Sequence, residues 1–339
     1  MRVLSRSEVE RLLQPADVVP VMADAMRRYS AGSVNQPLRT ILRPAGHTSL
    51  LGTMPCHIDG PGLGEAADQD GVYGVKAMVL KPENPARGLD LHAGVVLVFD
   101  PDTGRPAALL DAGAVTAVRT AAVSAVAADA LARPDCEVLA VLGSGVQARS
   151  HLRSMFAVRP GLTRVRVWSR TPGHAEALRP FAEEHLPPGV VFEVVDSVAA
   201  ALESADLVCT TLACREPVVE AGMLAPGAHV NAVGASFRDH REFSAEAVAA
   251  TRLFVDSRES ALTESGDIGV PLAEGLIDPG HIQAEIGEVL LGKHPGRVGA
   301  EEVTLYKSLG LAVQDVMFGF AAGAAAEKAE IGVEIDLED

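Results

Sequence analysis

VLAVLGSGVQARSHL, residues 138–152, is the stretch on which the fold turns. An apolar run from Val138 to Leu142 feeds directly into Gly143, Ser144 and Gly145, and Ala148 completes a G-x-G-x-x-A spacing at the head of a helical segment. Each small residue has its own task in such a motif. Gly143 permits a tight turn, Gly145 lets the backbone approach a pyrophosphate, and Ala148 allows close packing of helix on strand. Val146 and Gln147 open the helix, where free backbone N–H groups and the positive end of the helix dipole face an anion. A glycine turn without a ligand would not need the second strand that follows in register and ends in VWSRT, residues 167–171. At that strand end an NAD site carries an acid for the ribose 2′-hydroxyl, whereas this chain offers Ser169, Arg170 and Thr171. A cation between two hydroxyls suits a 2′-phosphate, so NADP(H) is the expected cofactor and NAD(H) the alternative.

Working outward, apolar strands are expected near Val138 to Leu142, Val165 to Trp168, Val190 to Val195, Leu207 to Thr211, His229 to Val233 and Leu253 to Val255, alternating with helix-length segments. That alternation predicts a doubly wound parallel sheet of Rossmann type. The first hundred residues read differently. Helical punctuation comes first, with Ser7 and Glu10 spaced as a capping box, then Pro15 opening a helix that Gly32 stops. Strand-like pieces follow around Leu38 to Leu42, Leu50 to Met54, Val72 to Leu80, Val95 to Asp100 and Ala107 to Leu110, which predict a mostly antiparallel sheet. An Ala- and Val-rich helix from Ala114 to Ala132 marks a crossing between domains, and the last long helix is expected from Tyr306 to about Lys328.

The chain has 339 residues, 48% of them hydrophobic, enough for two domains with sizeable cores. A formal charge of -16 provides no basic field for a nucleic-acid backbone or an anionic membrane surface, so neither is expected as a partner. No apolar run reads as a membrane span and the N-terminus lacks an apolar signal core. Cys56, Cys136, Cys209 and Cys214 form no CxxC pair, which argues against a zinc site or disulfide framework; the cytoplasm is the expected compartment and no metal is expected.

Several stretches together resemble the ornithine cyclodeaminase and mu-crystallin family: QPLRT (36–40), LGTMP (51–55), GVKAMVLKPENPARGLDLHAGVVLVFDPDTGRP (74–106), VRTAAVSAVAADALARPD (118–135), GSGVQA (143–148), VNAVGAS (230–236), VDSRESALTESGDI (255–268) and KSLGLAVQD (307–315). The match runs in order along nearly the whole chain. It implies an α/β protein in which a split α+β substrate-binding and dimerisation domain, 1–118 together with 308–339, encloses a Rossmann domain at 119–307, with the subunits paired as a homodimer through the first domain's sheets.

The resemblance places Arg39 and Arg119 on a substrate carboxylate and Lys76 beside the reacting carbon and nitrogen. Physical chemistry agrees, since an arginine can fix the plane of a carboxylate with two parallel hydrogen bonds, and a lysine in an apolar strand loses solvation and becomes a useful proton donor. Strand alternation alone leaves Lys76 free to face outward. His92 matches a position near the nicotinamide or its ribose, Thr120 a contact to a cofactor phosphate, and Val233 and Ser236 the remaining cofactor-binding positions. True ornithine cyclodeaminases carry an aspartate where this chain has Ser236. A serine cannot pair with a positive side-chain amine, so the resemblance runs closer to the mu-crystallin branch, whose activity is ketimine reduction. The expected reaction is NADPH-dependent reduction of a small cyclic α-imino acid, Δ1-pyrroline-2-carboxylate or Δ1-piperideine-2-carboxylate. The alternatives are an alanine-type or opine-like amino-acid dehydrogenase, a lyase of the ornithine cyclodeaminase kind, and a protein that binds NADPH and a small ligand without turnover.

Overall fold

The structure, a computed structural model, describes residues 1–60, 63 and 71–337. Its contacts divide into two compact units, Met1–Arg119 with Leu311–Asp339, and Thr120–Gly310. The division falls within one helix, so Arg119 belongs to the first unit although the sequence reading grouped it with residues 119–307.

Strands of the first unit are β1 (Arg2–Leu4), β2 (Val34–Asn35), β3 (Thr40–Leu42), β4 (Leu50–Ile58), β5 (Val72–Leu80), β6 (His92–Phe99) and β7 (Pro106–Asp111), with Val333–Glu334 at the far edge. The order across the sheet is Val333–Glu334, β1, β7, β6, β5, β4, β2, with β3 also on β4. Every pairing is antiparallel except β1 with β7. Helices α1 (Arg6–Leu12) and α2 (Pro15–Ala31) lie between β1 and β2 in the chain, and a C-terminal helix, Ala312–Lys328, packs on α2 and on β4 to β7. Small residues let that helix lie close. A Cβ on Gly74 would stand 2.6 Å from Val316, and one on Gly319 would stand 2.8 Å from Val98.

The start of α1 lies two residues earlier than the Ser7 and Glu10 spacing suggested: the Glu8 carboxylate accepts from the Ser5 backbone N–H at 2.8 Å and from the Ser5 hydroxyl. Gly32, at φ +84°, ends α2 as expected because only glycine adopts that conformation without strain.

The helix α3 (Ala112–Leu131) leads into the second unit. By length and composition it could cross a membrane, which the sequence reading did not register. However, 72% of its most apolar window is buried inside the protein, the property of a core helix.

The second unit is an eight-stranded sheet of β8 (Val138–Leu142), β9 (Arg164–Trp168), β10 (Val191–Val194), β11 (Leu207–Thr210), β12 (His229–Ala232), β13 (Arg252–Val255), β14 (Ile282–Glu285) and β15 (Thr304–Lys307). The order is β10-β9-β8-β11-β12-β15-β13-β14 and every pair is parallel. Two of these strands, β14 and β15, escape the sequence reading, which placed Tyr306 in the final helix. For β15 the reason is a contact distant in sequence. Asp256, fully buried, accepts from the N–H groups of Leu309 and Gly310, both at 2.7 Å, and from the Ser308 hydroxyl, so β15 turns at Gly310 (φ +83°) before the helix starts at Ala312.

Two histidines are sealed inside this unit. His151 gives its Nδ1 proton to the Gln147 carbonyl, at 2.8 Å, and accepts from the Ser124 hydroxyl. His229 lies between Thr304 and Asn231. Burial lowers both, from 6.5 to about 4 for His151 and to about 3 for His229, where the charge of Arg297 adds to the effect. A depressed folded value means that the fold favours the neutral ring. Its stabilisation is complete above pH 6.5, the unfolded value, and falls as acid protonates the unfolded chain first. Each ring should therefore cost roughly 3–5 kcal/mol of stability on acidification. Urea midpoints measured from pH 7 down to pH 4 should fall steeply, and replacing His151 by an uncharged residue of similar volume should flatten that slope.

Candidate active site

In the second unit the glycine turn follows β8 as the sequence required. Gly143 has φ +124°, and a Cβ there would lie 2.3 Å from the Thr211 hydroxyl oxygen, so no other residue fits. Gly145 caps α4 (Val146–Val158), and a Cβ on it would meet nothing within 4 Å, leaving open space over the helix N-terminus. Ala148 is fully buried, Val146 is exposed and Gln147 half-buried. The Ser169 hydroxyl reaches Ser144 at 3.0 Å and joins the end of β9 to the turn. Arg170 and Thr171 are exposed, with Thr171 capping the next short helix, Pro172–Glu176.

Thr120 is buried, and its hydroxyl has no hydrogen-bond partner among the described residues, a state that a ligand oxygen would relieve. Val233 and Ser236 are half-buried on the loop that leaves β12. The turn, the open helix end and the orphaned hydroxyl fit the pyrophosphate part of a dinucleotide.

The first unit gathers the cations. Lys76 lies on the face of β5 that holds the buried Val72 and Gly74, against the C-terminal helix, so alternation points it inward. Its ammonium donates to Asp315 Oδ1 at 2.9 Å and to the Thr116 hydroxyl at 2.5 Å. Arg119 gives Nε to the same Asp315 oxygen, at 3.0 Å, and one terminal nitrogen to Gln314 Oε1, at 2.6 Å. Lys76, Arg119, Gln314 and Asp315 are all buried. Arg39 is half-buried just before β3 and lies close enough for its charge to act on Lys76. Gln36 of the same segment accepts from the Val313 N–H at 2.8 Å, which anchors it to the start of the C-terminal helix.

Burial dominates the acidity of Lys76, lowering it from 10.5 to about 8; Asp315 resists the change, while Arg119 and Arg39 add to it. His92 begins β6, and desolvation followed by the Lys76 charge lowers it from 6.5. Asp315 itself is held below its ordinary value, because Arg119 and Lys76 outweigh the burial that would raise it.

Asp315, Gln314 and Thr116 were missed as site residues. The signal existed for Asp315: a charged residue in the apolar run AVQDVMFGF must find a buried partner. Pairing Lys76 with it needs a tertiary contact across 239 residues of chain.

A parallel sheet with a glycine turn under an open helix end defines a dinucleotide-binding oxidoreductase fold, and the other unit carries a separate cluster of buried cations. The chain belongs to the Ornithine cyclodeaminase/mu-crystallin family, whose sequence profile matches residues 1–323. It is 36% identical to the ketimine reductase mu-crystallin of Macropus fuliginosus over 318 residues, 93% of this chain and 94% of that protein. It is 35% identical to a Δ1-pyrroline-2-carboxylate reductase of Bacillus cereus over 318 residues, 94% of each. Among solved structures, the Δ1-pyrroline-2-carboxylate reductase of Thermococcus litoralis, in complex with NADH and L-proline, superposes with a TM-score of 0.91 at 35% identity, covering 99% of this chain and 100% of that one.

If Asp315 keeps the lysine charged against burial, Asp315→Asn should move the Lys76 titration below about 8, the direction set by removing the one raising influence. Lysine-labelled NMR of the variant against the parent would read the shift directly; an unchanged or higher midpoint contradicts it.

Proposed function

We propose that this protein reduces a small cyclic α-imino acid, Δ1-pyrroline-2-carboxylate or Δ1-piperideine-2-carboxylate, to the cyclic amino acid with a nicotinamide cofactor. One observation carries the reading: a buried lysine with a pKa of about 8 shares one carboxylate oxygen with a buried arginine, and a second arginine lies within electrostatic reach. Reduction of a C=N bond needs one hydride and one proton. The nicotinamide, when bound, supplies the hydride.

The chain supplies the rest. Arg39 and Arg119 orient the carboxylate, although Arg119 already gives two nitrogens to Asp315 and Gln314 and meets the substrate with its remaining one. The Lys76 ammonium donates its proton to the ring nitrogen, and its pKa near neutrality makes that transfer easy in both directions. Ser236, where a cyclodeaminase has aspartate, supports reduction over deamination.

Three finer features belong to the same proposal. Arg170 is exposed and makes no ion pair among the described residues, which supports NADPH as the preferred cofactor through its 2′-phosphate. Leu42, Tyr73, Val79 and Val95 are exposed on the sheet face opposite the C-terminal helix, 60%, 58%, 41% and 38% respectively. An apolar sheet face of this kind supports a homodimer in which a second copy covers it. The absence of any cysteine pairing, with all four thiols free, supports a cytoplasmic setting.

Purified protein should oxidise NADPH in the presence of either cyclic imine, and Lys76→Met should lower kcat about a hundredfold or more. Loss of signal with both imines, but turnover with a 2-oxo acid and an added amine, would replace this reading by an amino-acid dehydrogenase. Arg170→Ala should raise the KM for NADPH about tenfold and leave that for NADH unchanged. Light scattering should show a dimer for the parent and a monomer for Val79→Glu/Val95→Glu; a dimeric variant would remove this face from the interface.

A further inference from the structure

A second buried charge cluster lies in the dinucleotide unit, among residues to which no role has been given above. Glu242 is fully buried. One carboxylate oxygen accepts from the Leu212 N–H at 2.8 Å, just past the end of β11. The other accepts from the N–H groups of Gly234, at 2.8 Å, and Ala235, at 3.3 Å, just past the end of β12. One side chain therefore clasps the loops leaving two neighbouring parallel strands. The two loops are in close contact, since a Cβ on Gly234 would lie 2.1 Å from the Leu212 nitrogen.

Behind Glu242 stand Lys307 and Asp267, both buried. The Lys307 ammonium is 2.8 Å from Asp267 and 4.0 Å from Glu242. Asp267 in turn accepts from the N–H groups of Glu242, at 2.7 Å, and Phe243, at 3.0 Å. Burial pushes the Glu242 carboxyl up, Lys307 draws it back, and the backbone donors favour the charged form.

The location gives the cluster its purpose. In a doubly wound sheet a dinucleotide lies outside the carboxyl ends of the strands, across the point where the strand order reverses. Here the chain runs β8, β9, β10 outward and then returns to β11 and β12 on the other side of β8. The first half carries the glycine turn and Arg170, so the half built on β11 and β12 faces the nicotinamide nucleotide. The clasped loop 233–236 contains Val233 and Ser236, and the loop after β11 contains Thr211, whose hydroxyl fills the space beside Gly143.

We propose that Glu242 is a positioning residue which, backed by Lys307 and Asp267, holds the loops at 211–212 and 233–236 in the arrangement that receives the nicotinamide half of the cofactor. This rests on the dinucleotide reading above and extends it to residues that need not touch the ligand. An uncharged amide in place of Glu242 offers one acceptor oxygen where two serve donors on different loops, so one loop loses its anchor. The adenosine half, held by β8, β9 and the glycine turn, keeps all of its contacts.

That asymmetry is measurable. Titration calorimetry would compare NADPH with 2′,5′-ADP, which lacks the nicotinamide half, on the parent, on Glu242→Gln, and on Glu242→Asp, which keeps a carboxylate beside Lys307 but is one methylene too short to reach both loops, where the amide variant does not fold. In either variant NADPH should bind about tenfold more weakly while 2′,5′-ADP stays within about twofold of the parent. Equal weakening of both ligands, or of neither, overturns the proposal and leaves Glu242 a packing residue. A parent that binds NADH but not NADPH is tested in the same way with NADH against 5′-ADP, and a parent that binds neither dinucleotide overturns the reading on which the proposal rests.

Discussion

The carboxylate of Asp315 is the constraint around which the first unit is arranged. A buried ammonium and a buried guanidinium share one of its oxygens, and either cation alone in that place would be costly. The small residues at the interface of sheet and C-terminal helix follow from this need. Gly74 and Gly319 leave room for the helix to approach until its acid meets β5 and α3. The compensation is deliberately incomplete in charge. Among the described residues, Lys76 and Arg119 bring two positive charges against the one negative charge of Asp315, so the cluster keeps an excess that a small anion can balance. A strongly acidic protein thus presents a locally cationic interior, and the sign of the whole molecule gives no guide to the sign of its site.

Acids organise the second unit as well, by accepting from the backbone at the tips of strands. Asp206 takes the N–H groups of Glu137 and Val138 at the start of β8, Asp256 takes those that turn β15 toward the final helix, and Glu242 joins the ends of β11 and β12. Each satisfies donors that a parallel strand leaves without a partner at its tip. Part of the acid excess counted in the sequence is therefore internal scaffolding.

How far the sequence could be read follows from the range of the forces involved. The glycine turn, the helix behind it and most strands were legible because turn chemistry and apolar runs act over a few residues, as Gly143, Ala148 and Gly32 illustrate. The antiparallel first sheet was legible for the same reason. What failed was the set of features fixed from afar. Thr304–Lys307 is too short to declare itself a strand, and only the distant Asp256 makes it turn where it does. At the site, Lys76 and Arg119 could be named from the resemblance, but not the aspartate they share, and the membrane-like composition of α3 showed its meaning only once its burial was known.

The order of the chain adds a temporal side to this architecture. Lys76 and Asp315 are 239 residues apart, and the whole second unit is synthesised between them. At about 5–20 residues per second, a nascent chain exposes its lysine for more than about ten seconds before the balancing carboxylate exists. Throughout that interval β4 to β7 also lack the helix that covers them. The sheet of the first unit, made before the helix that covers it, is thus completed late, and during synthesis it is the segment most in need of protection from premature association.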